Sequence, residues 1–175
     1  DTRPRDPAVA ADGRIWFVGQ AGNYIAVLAP RSGEFKRYEI DAGTLPHNLV
    51  IAGDGGIWYA GNQAGMIGRL DPATGAIKRY PMPEKDLTDP HTPVFDRRGN
   101  LWFTLQGSNA VGHLDTKSGA IRILRMPVPA SRPLSSSDCN ERSTGGRRSE
   151  SRAARSTQSG PGRRKRNPPN PRSFL

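Results

Sequence analysis

The stretch DGGIWY at residues 54–59 occurs three times in this chain with small changes. The tryptophans of the three copies are Trp16, Trp58 and Trp102, which lie 42 and 44 residues apart. Each has a glycine three residues before it, Ile or Leu directly before it and an aromatic residue directly after it. A second glycine follows each tryptophan by 17 residues. Agreement at so many positions in one register identifies an internal repeat.

Each repeat predicts four short strands. In the second copy, residues 48–52 form a short apolar run, and residues 54–56 have the composition of a tight turn, because Gly and Asp tolerate positive φ. Residues 57–60 are rich in β-formers, residues 66–71 predict a third strand, and residues 76–80 alternate apolar and polar side chains. Four antiparallel strands in one such unit, repeated in tandem, predict an all-β fold made of β-propeller blades.

The repeat predicts the domain organisation of residues 1–133. Three blades are expected over about residues 5–40, 46–83 and 90–127, followed by the start of a fourth. Propellers generally close with about four to eight blades, so three blades should leave two exposed edges. The chain expressed alone is therefore expected to aggregate or to fold poorly. The tryptophans are expected to pack between adjacent blades, and the repeated glycines to lie in turns.

The basic character of the chain is concentrated in its last quarter. Residues 1–127 contain 15 basic and 13 acidic side chains, whereas residues 128–175 contain 11 and 3. The Ser-, Arg-, Gly- and Pro-rich residues 134–175 are predicted to form a disordered, low-complexity tail. Three interpretations of this tail stay open: a nucleic-acid arm centred on residues 163–166, a flexible surface tail, or a frameshift product. The abrupt end of the repeat favours the frameshift, and a nucleic-acid partner is the least favoured.

Several classes of protein are excluded by the sequence. No apolar run approaches the roughly 20 residues of a membrane span. The single cysteine, Cys139, excludes an internal disulfide framework and a cysteine-rich zinc cluster. The sequence contains no Gly-x-Ser-x-Gly elbow, no phosphate loop and no His-Glu-x-x-His motif. No signal peptide is visible, although a secreted protein whose leader was removed would look the same.

The blade sequence resembles a known family. Residues 54–59 are followed by IGRLDPATG at residues 67–75 and then by Tyr80 and Pro83. This pattern is similar to the blades of the virginiamycin B lyase (streptogramin lyase) family, over about residues 4–133. The resemblance implies a propeller that opens a cyclic depsipeptide antibiotic by elimination at an ester, using Mg²⁺. It also implies a role in antibiotic resistance, a periplasmic or secreted location and a small-molecule ligand at the channel mouth.

The resemblance implies catalytic histidines at the starts of blades. His47 and His91 each precede a blade tryptophan by 11 residues, so both could face the central channel. Histidine is suited to removing a proton α to a carbonyl near neutral pH. We therefore predict His47 and His91 as catalytic residues, while a structural role, capping a turn or bonding a backbone carbonyl, stays open. His113 is expected to be a surface residue of a strand.

The metal site implied by the resemblance does not match this sequence. The family places a Glu directly after Trp-Phe-Thr, where this chain has Leu105, and the equivalent positions of the other blades are Gly61 and Gly19. Mg²⁺ is thus expected by analogy only, and no metal ligand is predicted. Two hypotheses follow. The chain is a fragment of a lyase-like propeller, or it is a non-catalytic propeller module that binds a ligand or a protein. The sequence does not predict an oligomeric state.

Overall fold

The computed structural model describes residues 2–133, in which twelve strands form three antiparallel sheets. The strands are β1 (Pro4–Val9), β2 (Ile15–Gly19), β3 (Tyr24–Ala29), β4 (Glu34–Glu39), β5 (Pro46–Ile51), β6 (Ile57–Gly61), β7 (Met66–Leu70), β8 (Ile77–Pro81), β9 (Pro90–Phe95), β10 (Leu101–Leu105), β11 (Ala110–Leu114) and β12 (Ile121–Arg125). Each sheet joins four consecutive strands in chain order. The predicted all-β fold of three four-stranded propeller blades is confirmed.

Blade 1 comprises β1–β4, blade 2 comprises β5–β8 and blade 3 comprises β9–β12. The strands begin and end within a few residues of the predicted blade limits. Residues 126–133 follow without a strand. The predicted tail, residues 134–175, lies outside the described residues. No helix that could cross a membrane is found between residues 2 and 133.

The turns form where the sequence predicts them. Gly55 has a φ of 82°, and Asp54 Oδ1 accepts a hydrogen bond from the Gly56 N–H at 2.9 Å. This local bond closes the β5–β6 turn, because a short carboxylate can reach the backbone two residues further on. The other repeated glycines of both turn types also have φ values between 75° and 82°. The prediction that they are turn residues is confirmed.

The blade tryptophans fill the space between neighbouring sheets. Trp16 is 2% exposed in the core between blades 1 and 2, and it stacks on Tyr38 with ring centroids 5.7 Å apart. Trp58 is 4% exposed in the core between blades 2 and 3, and it stacks on Tyr80 at 5.3 Å. Burial of side chains of this size is the main stabilising term between the sheets. The predicted packing role is confirmed for both.

The opposite face of blades 2 and 3 explains the glycine of the Ile-Gly-x-Leu pattern, a position that is Ala26 in blade 1. The Tyr59 ring lies over Gly68, and the Phe103 ring lies over Gly112 on the adjacent strand. A Cβ on Gly68 would lie 2.1 Å from Tyr59 Cζ, and a Cβ on Gly112 would lie 2.1 Å from Phe103 Cζ. Glycine is therefore required here by a close approach of the neighbouring ring.

Among residues 2–133, nothing packs over the two outer faces of the three-blade array, and both faces are apolar. Trp102 is only partly buried and contacts the ring of His113, with centroids 4.6 Å apart. Leu124, which stands where the other blades have a stacked tyrosine, is 47% exposed. On the far side of blade 1, Val9 and Phe35 are 71% and 52% exposed. These faces resemble those that are buried between the blades.

Contacts between blades are concentrated in the first two strands of each sheet. β5 packs against both β1 and β9, so the first strands of all three blades lie side by side. Each also has a register shift relative to its neighbour: between Arg5 and Ala8 in β1, between Pro46 and Leu49 in β5, and opposite Phe103 and Leu105 in β9. Such bulges change the direction of side chains and often lie near functional sites.

Candidate functional site

One side chain from the start of each blade enters a common cluster. Arg5, His47 and His91 occupy equivalent positions, and each follows a proline at the beginning of β1, β5 or β9. The rings of His47 and His91 lie with their centroids 3.9 Å apart and their planes inclined by 39°. Arg5 Nη1 lies 2.7 Å from His47 Nε2. The structure therefore brings the two predicted histidines together and adds an arginine beside them.

The backbone beside this cluster is unusual. Arg3, Asp6 and Leu45 adopt φ values of 47°, 51° and 45°, a left-handed conformation that costs free energy for residues other than glycine. Two bonds between blades offset that cost. Asp6 Oδ2 accepts the Leu49 N–H at 2.7 Å, and Asn23 Oδ1 accepts the Leu45 N–H at 2.9 Å. Blades 1 and 2 are thus joined directly beside His47.

The two histidines have different hydrogen-bond partners. His47 Nε2 contacts the Arg5 guanidinium, and its Nδ1 lies 2.5 Å from Asn48 Oδ1. His91 Nδ1 lies 2.9 Å from Thr92 Oγ1. Both imidazoles are half-buried. These bonds go to neighbouring side chains, not to the backbone carbonyls that a purely turn-capping histidine would use.

The surroundings of His91 favour its neutral form. Burial lowers the pKa of His91 below its ordinary value of 6.5, and the electrostatic effects of the neighbouring His47 imidazole and Arg5 guanidinium lower it further. The carboxylates of Asp89 and Asp6 oppose this effect. At neutral pH His91 is therefore mainly uncharged, which is the form that can accept a proton.

Three aspartates of blades 2 and 3 accept hydrogen bonds from turn residues. Asp89 Oδ1 accepts the Ser108 hydroxyl at 2.6 Å, and Asp89 Oδ2 also accepts the Gly107 N–H. Asp96 accepts backbone N–H groups of its own turn, from Arg98 at 2.8 Å and from Asn100 at 2.9 Å. Asp54 accepts the Gly56 N–H in the equivalent turn of blade 2.

The described blades do not fit a Mg²⁺ site. Leu105, at the position of the family glutamate, is fully buried in the core between blades 2 and 3. At the equivalent Gly61, an added Cβ would lie 3.0 Å from side-chain atoms of both Met66 and Thr44. Within residues 2–133 no three His, Cys, Asp or Glu side chains are grouped so that they could hold a metal. Mg²⁺ requires carboxylate or other oxygen ligands, and the cluster offers imidazoles and a guanidinium.

Arg5 is the residue that sequence reasoning missed. Its signal was present, since Pro4-Arg5 precedes Trp16 by the same spacing as Pro46-His47 precedes its own blade tryptophan. The family resemblance implies histidines at the blade starts and does not point to an arginine, whereas position in the repeat alone identifies Arg5.

Comparison with known proteins agrees with the blade sequence and the fold. The family model described as the virginiamycin B lyase family matches residues 1–142. The chain belongs to the virginiamycin B lyase family. A comparison with curated proteins found no match.

Solved structures of this family are similar to the chain over about three quarters of its length. Virginiamycin B lyase from Staphylococcus aureus is 28% identical, with a TM-score of 0.70, over 76% of this chain and 44% of that chain. A streptogramin B lyase structure gives 29% identity and a TM-score of 0.69 over the same shares. The chain thus spans less than half the length of these virginiamycin B lyase relatives.

Two further comparisons extend this result. A catalytically inactive histidine-to-alanine variant of the S. aureus virginiamycin B lyase, in a structure with quinupristin, is 28% identical, with a TM-score of 0.69 over 76% of this chain and 44% of that chain. Hydrazine synthase of Kuenenia stuttgartiensis is 14% identical, with a TM-score of 0.63 over 72% of this chain and 36% of that chain, which shows the fold alone.

Proposed function

We propose that the Arg5–His47–His91 cluster is the ligand-binding part of a lyase-like site that opens a cyclic depsipeptide at its ester bond. The observation that carries the proposal is that one polar side chain per blade converges at the same place. His47 and His91, at equivalent blade positions, lie with ring centroids 3.9 Å apart. Loss of activity in the histidine-to-alanine variant of the S. aureus relative supports a histidine-dependent reaction in this family.

In this proposal His91 is the base of a β-elimination. His91 Nε2 takes the proton from the carbon that lies between a carbonyl group and the carbon bonded to the ester oxygen. The C–H electron pair forms a carbon–carbon double bond, the C–O bond breaks, and the carboxylate leaves with that electron pair. The proton then passes from His91 to solvent. No oxidant or water is consumed, so the ring-opened product is an isomer of the substrate.

The environment of His91 suits this role. A base must be unprotonated at the working pH, and burial together with neighbouring positive charge lowers the pKa of His91. Half-burial leaves the imidazole within reach of a ligand, while the adjacent His47 ring offers a flat surface against which part of the ligand can pack. The described residues do not fit Mg²⁺, so no step is assigned to that ion.

The product distinguishes elimination from hydrolysis. The full chain is incubated with quinupristin, the products are separated by chromatography, and their masses are measured by mass spectrometry. We expect a ring-opened product whose mass equals that of the substrate, whereas hydrolysis would add the mass of one water. The His91→Gln variant should lose this product, and the matched variant His113→Gln, outside the cluster, should keep it. Turnover that survives His91→Gln would refute the assignment of the base.

The second candidate is a non-catalytic binding module. The observation that favours it is the fully buried Leu105 where the family has its metal-site glutamate. Under this candidate, equilibrium dialysis would show that quinupristin binds to the chain and that His91→Gln weakens the binding. The ring would then stay closed both with and without added Mg²⁺. Formation of the isomeric ring-opened product would exclude this candidate.

A further inference from the structure

The Arg5 guanidinium determines where the proton of His47 resides. A guanidinium has N–H donors and no acceptor, so at 2.7 Å His47 Nε2 must accept the bond from Arg5 Nη1. The neutral imidazole then carries its proton on Nδ1, which can donate to Asn48 Oδ1 at 2.5 Å. Both nitrogens of His47 are therefore occupied, one as an acceptor and one as a donor.

His91 is held at only one nitrogen. Its Nδ1 pairs with Thr92 Oγ1 at 2.9 Å, and a hydroxyl can donate or accept, so this bond is compatible with either tautomer. Its Nε2 has no hydrogen-bond partner among residues 2–133. The two histidines that the sequence places at equivalent positions are thus chemically different: one has both nitrogens engaged, and the other has one nitrogen available.

The carboxylates near the cluster do not take the place of His47 as the partner of Arg5. Asp6 Oδ2 is engaged by the Leu49 N–H at 2.7 Å, and Asp89 by the Ser108 hydroxyl at 2.6 Å. Within residues 2–133, Arg5 forms no ion pair with either carboxylate. Arg5 therefore remains directed at His47.

We propose that Arg5 is a positioning residue that holds His47 as the Nδ1–H tautomer, so that His47 shapes the site and His91 alone exchanges a proton with the ligand. The proton-exchange role of His91 rests on the proposed function. The tautomer of His47 and its dependence on Arg5 do not, and they can be measured without a ligand.

Chemical modification tests the arrangement in the full chain. Diethyl pyrocarbonate acylates an imidazole nitrogen that has a free lone pair, and mass spectrometry of peptides gives the rate at each histidine. We expect His91 to react faster than His47 by about three- to tenfold, the factor that one hydrogen bond of ordinary net strength corresponds to. Arg5→Met should raise the rate at His47 by a similar factor. The matched variant Arg97→Met, in the β9–β10 turn, should leave that rate unchanged.

A spectroscopic measurement gives an independent readout. The ¹⁵N chemical shifts of a histidine-labelled chain report the tautomer, and His47 should show the Nδ1–H form in the parent and lose that preference in Arg5→Met. The positioning role is refuted if His47 reacts as fast as His91 in the parent, or if Arg5→Met leaves the tautomer unchanged. A third outcome separates the two proposals. If Arg5 protects His47 but quinupristin turnover survives His91→Gln, the positioning role stands. The proton-exchange role of His91 and the proposed function are then refuted.

Discussion

Replacing Tyr59 by Phe should stabilise the protein. The Tyr59 ring is fully buried in the core between blades 1 and 2, and its hydroxyl has no hydrogen-bond partner in the described residues. Burial raises the pKa of this phenol to about 12. Leaving such a group unpaired costs about 1–3 kcal/mol, while the cavity left by one oxygen atom costs well under ~1 kcal/mol. We expect a net gain of about 1 kcal/mol in the free energy of unfolding.

Tyr38→Phe is the matched control, because it removes the same atom from a paired hydroxyl. Tyr38 Oη donates to the Pro72 carbonyl at 2.9 Å, across the interface between blades 1 and 2. Loss of that bond should destabilise the protein by about 0.5–1.5 kcal/mol. The two identical chemical changes are therefore expected to have opposite signs. The other two blades already have phenylalanine at the position of Tyr59, as Phe17 and Phe103.

Urea denaturation at low protein concentration, followed by tryptophan fluorescence, measures both variants. With an m value of about 1–3 kcal/mol/M, a gain of ~1 kcal/mol raises the midpoint by roughly 0.3–1 M. A second readout is alkaline pH. A phenol whose pKa is raised from 10.0 to about 12 makes the folded state lose stability as pH rises through that interval, and Tyr59→Phe should remove this loss. If Tyr59→Phe destabilises the protein as much as Tyr38→Phe does, the hydroxyl has a partner and the reasoning is wrong.

Three further predictions follow from the same structure. Gly68→Ala should destabilise the protein by about 3 kcal/mol or more, since its Cβ would lie 2.1 Å from the tyrosine ring above it, while Gly53→Ala, with open space around it, should change the urea midpoint little. Leu105→Glu should destabilise by roughly 3–5 kcal/mol, because the carboxylate would be buried without a partner. Added Mg²⁺ should not restore the urea midpoint of that variant, and a restored midpoint would show that this position can take part in a Mg²⁺ site. Because folding lowers the pKa of His91, the unfolded state binds more protons than the folded state once the pH falls below about 6.5. The free energy of unfolding should therefore decline as the pH falls below that value. His91→Gln should remove that decline and His113→Gln should keep it, as measured by urea midpoints across this range.

The fold was predictable because the same blade pattern occurs three times in tandem. One blade sequence with alternating apolar side chains would leave helix and strand assignments open at several points, whereas three copies in register exclude a coincidence. The tryptophan and the turn glycines could be assigned because their roles depend on local pattern and size. The role of Gly68 could not, because it depends on a ring from the neighbouring strand that lies over it.

The candidate site was predictable only in part. Equivalent positions in a propeller recur around a common centre, so the spacing from the blade tryptophan was enough to predict that His47 and His91 could both face the central channel. Spacing does not reveal hydrogen-bond partners. The Arg5 contact that occupies His47 Nε2, and the Asn48 contact at Nδ1, depend on bulges and left-handed residues whose side-chain directions the sequence does not specify.

A site that takes one side chain from each blade depends on how the blades pack. The spacing between β1 and β5 is set by the core that contains Trp16 and Tyr59, and a 2.7 Å hydrogen bond from the Leu49 N–H to Asp6 Oδ2 joins the two strands locally. Arg5 and His47 meet across this interface. A core substitution that shifts blade 2 against blade 1 should therefore lengthen the contact between Arg5 and His47 and expose His47, although no residue of the cluster is changed. In such a repeat, packing and chemistry are coupled through the interface, because neither blade carries the site alone.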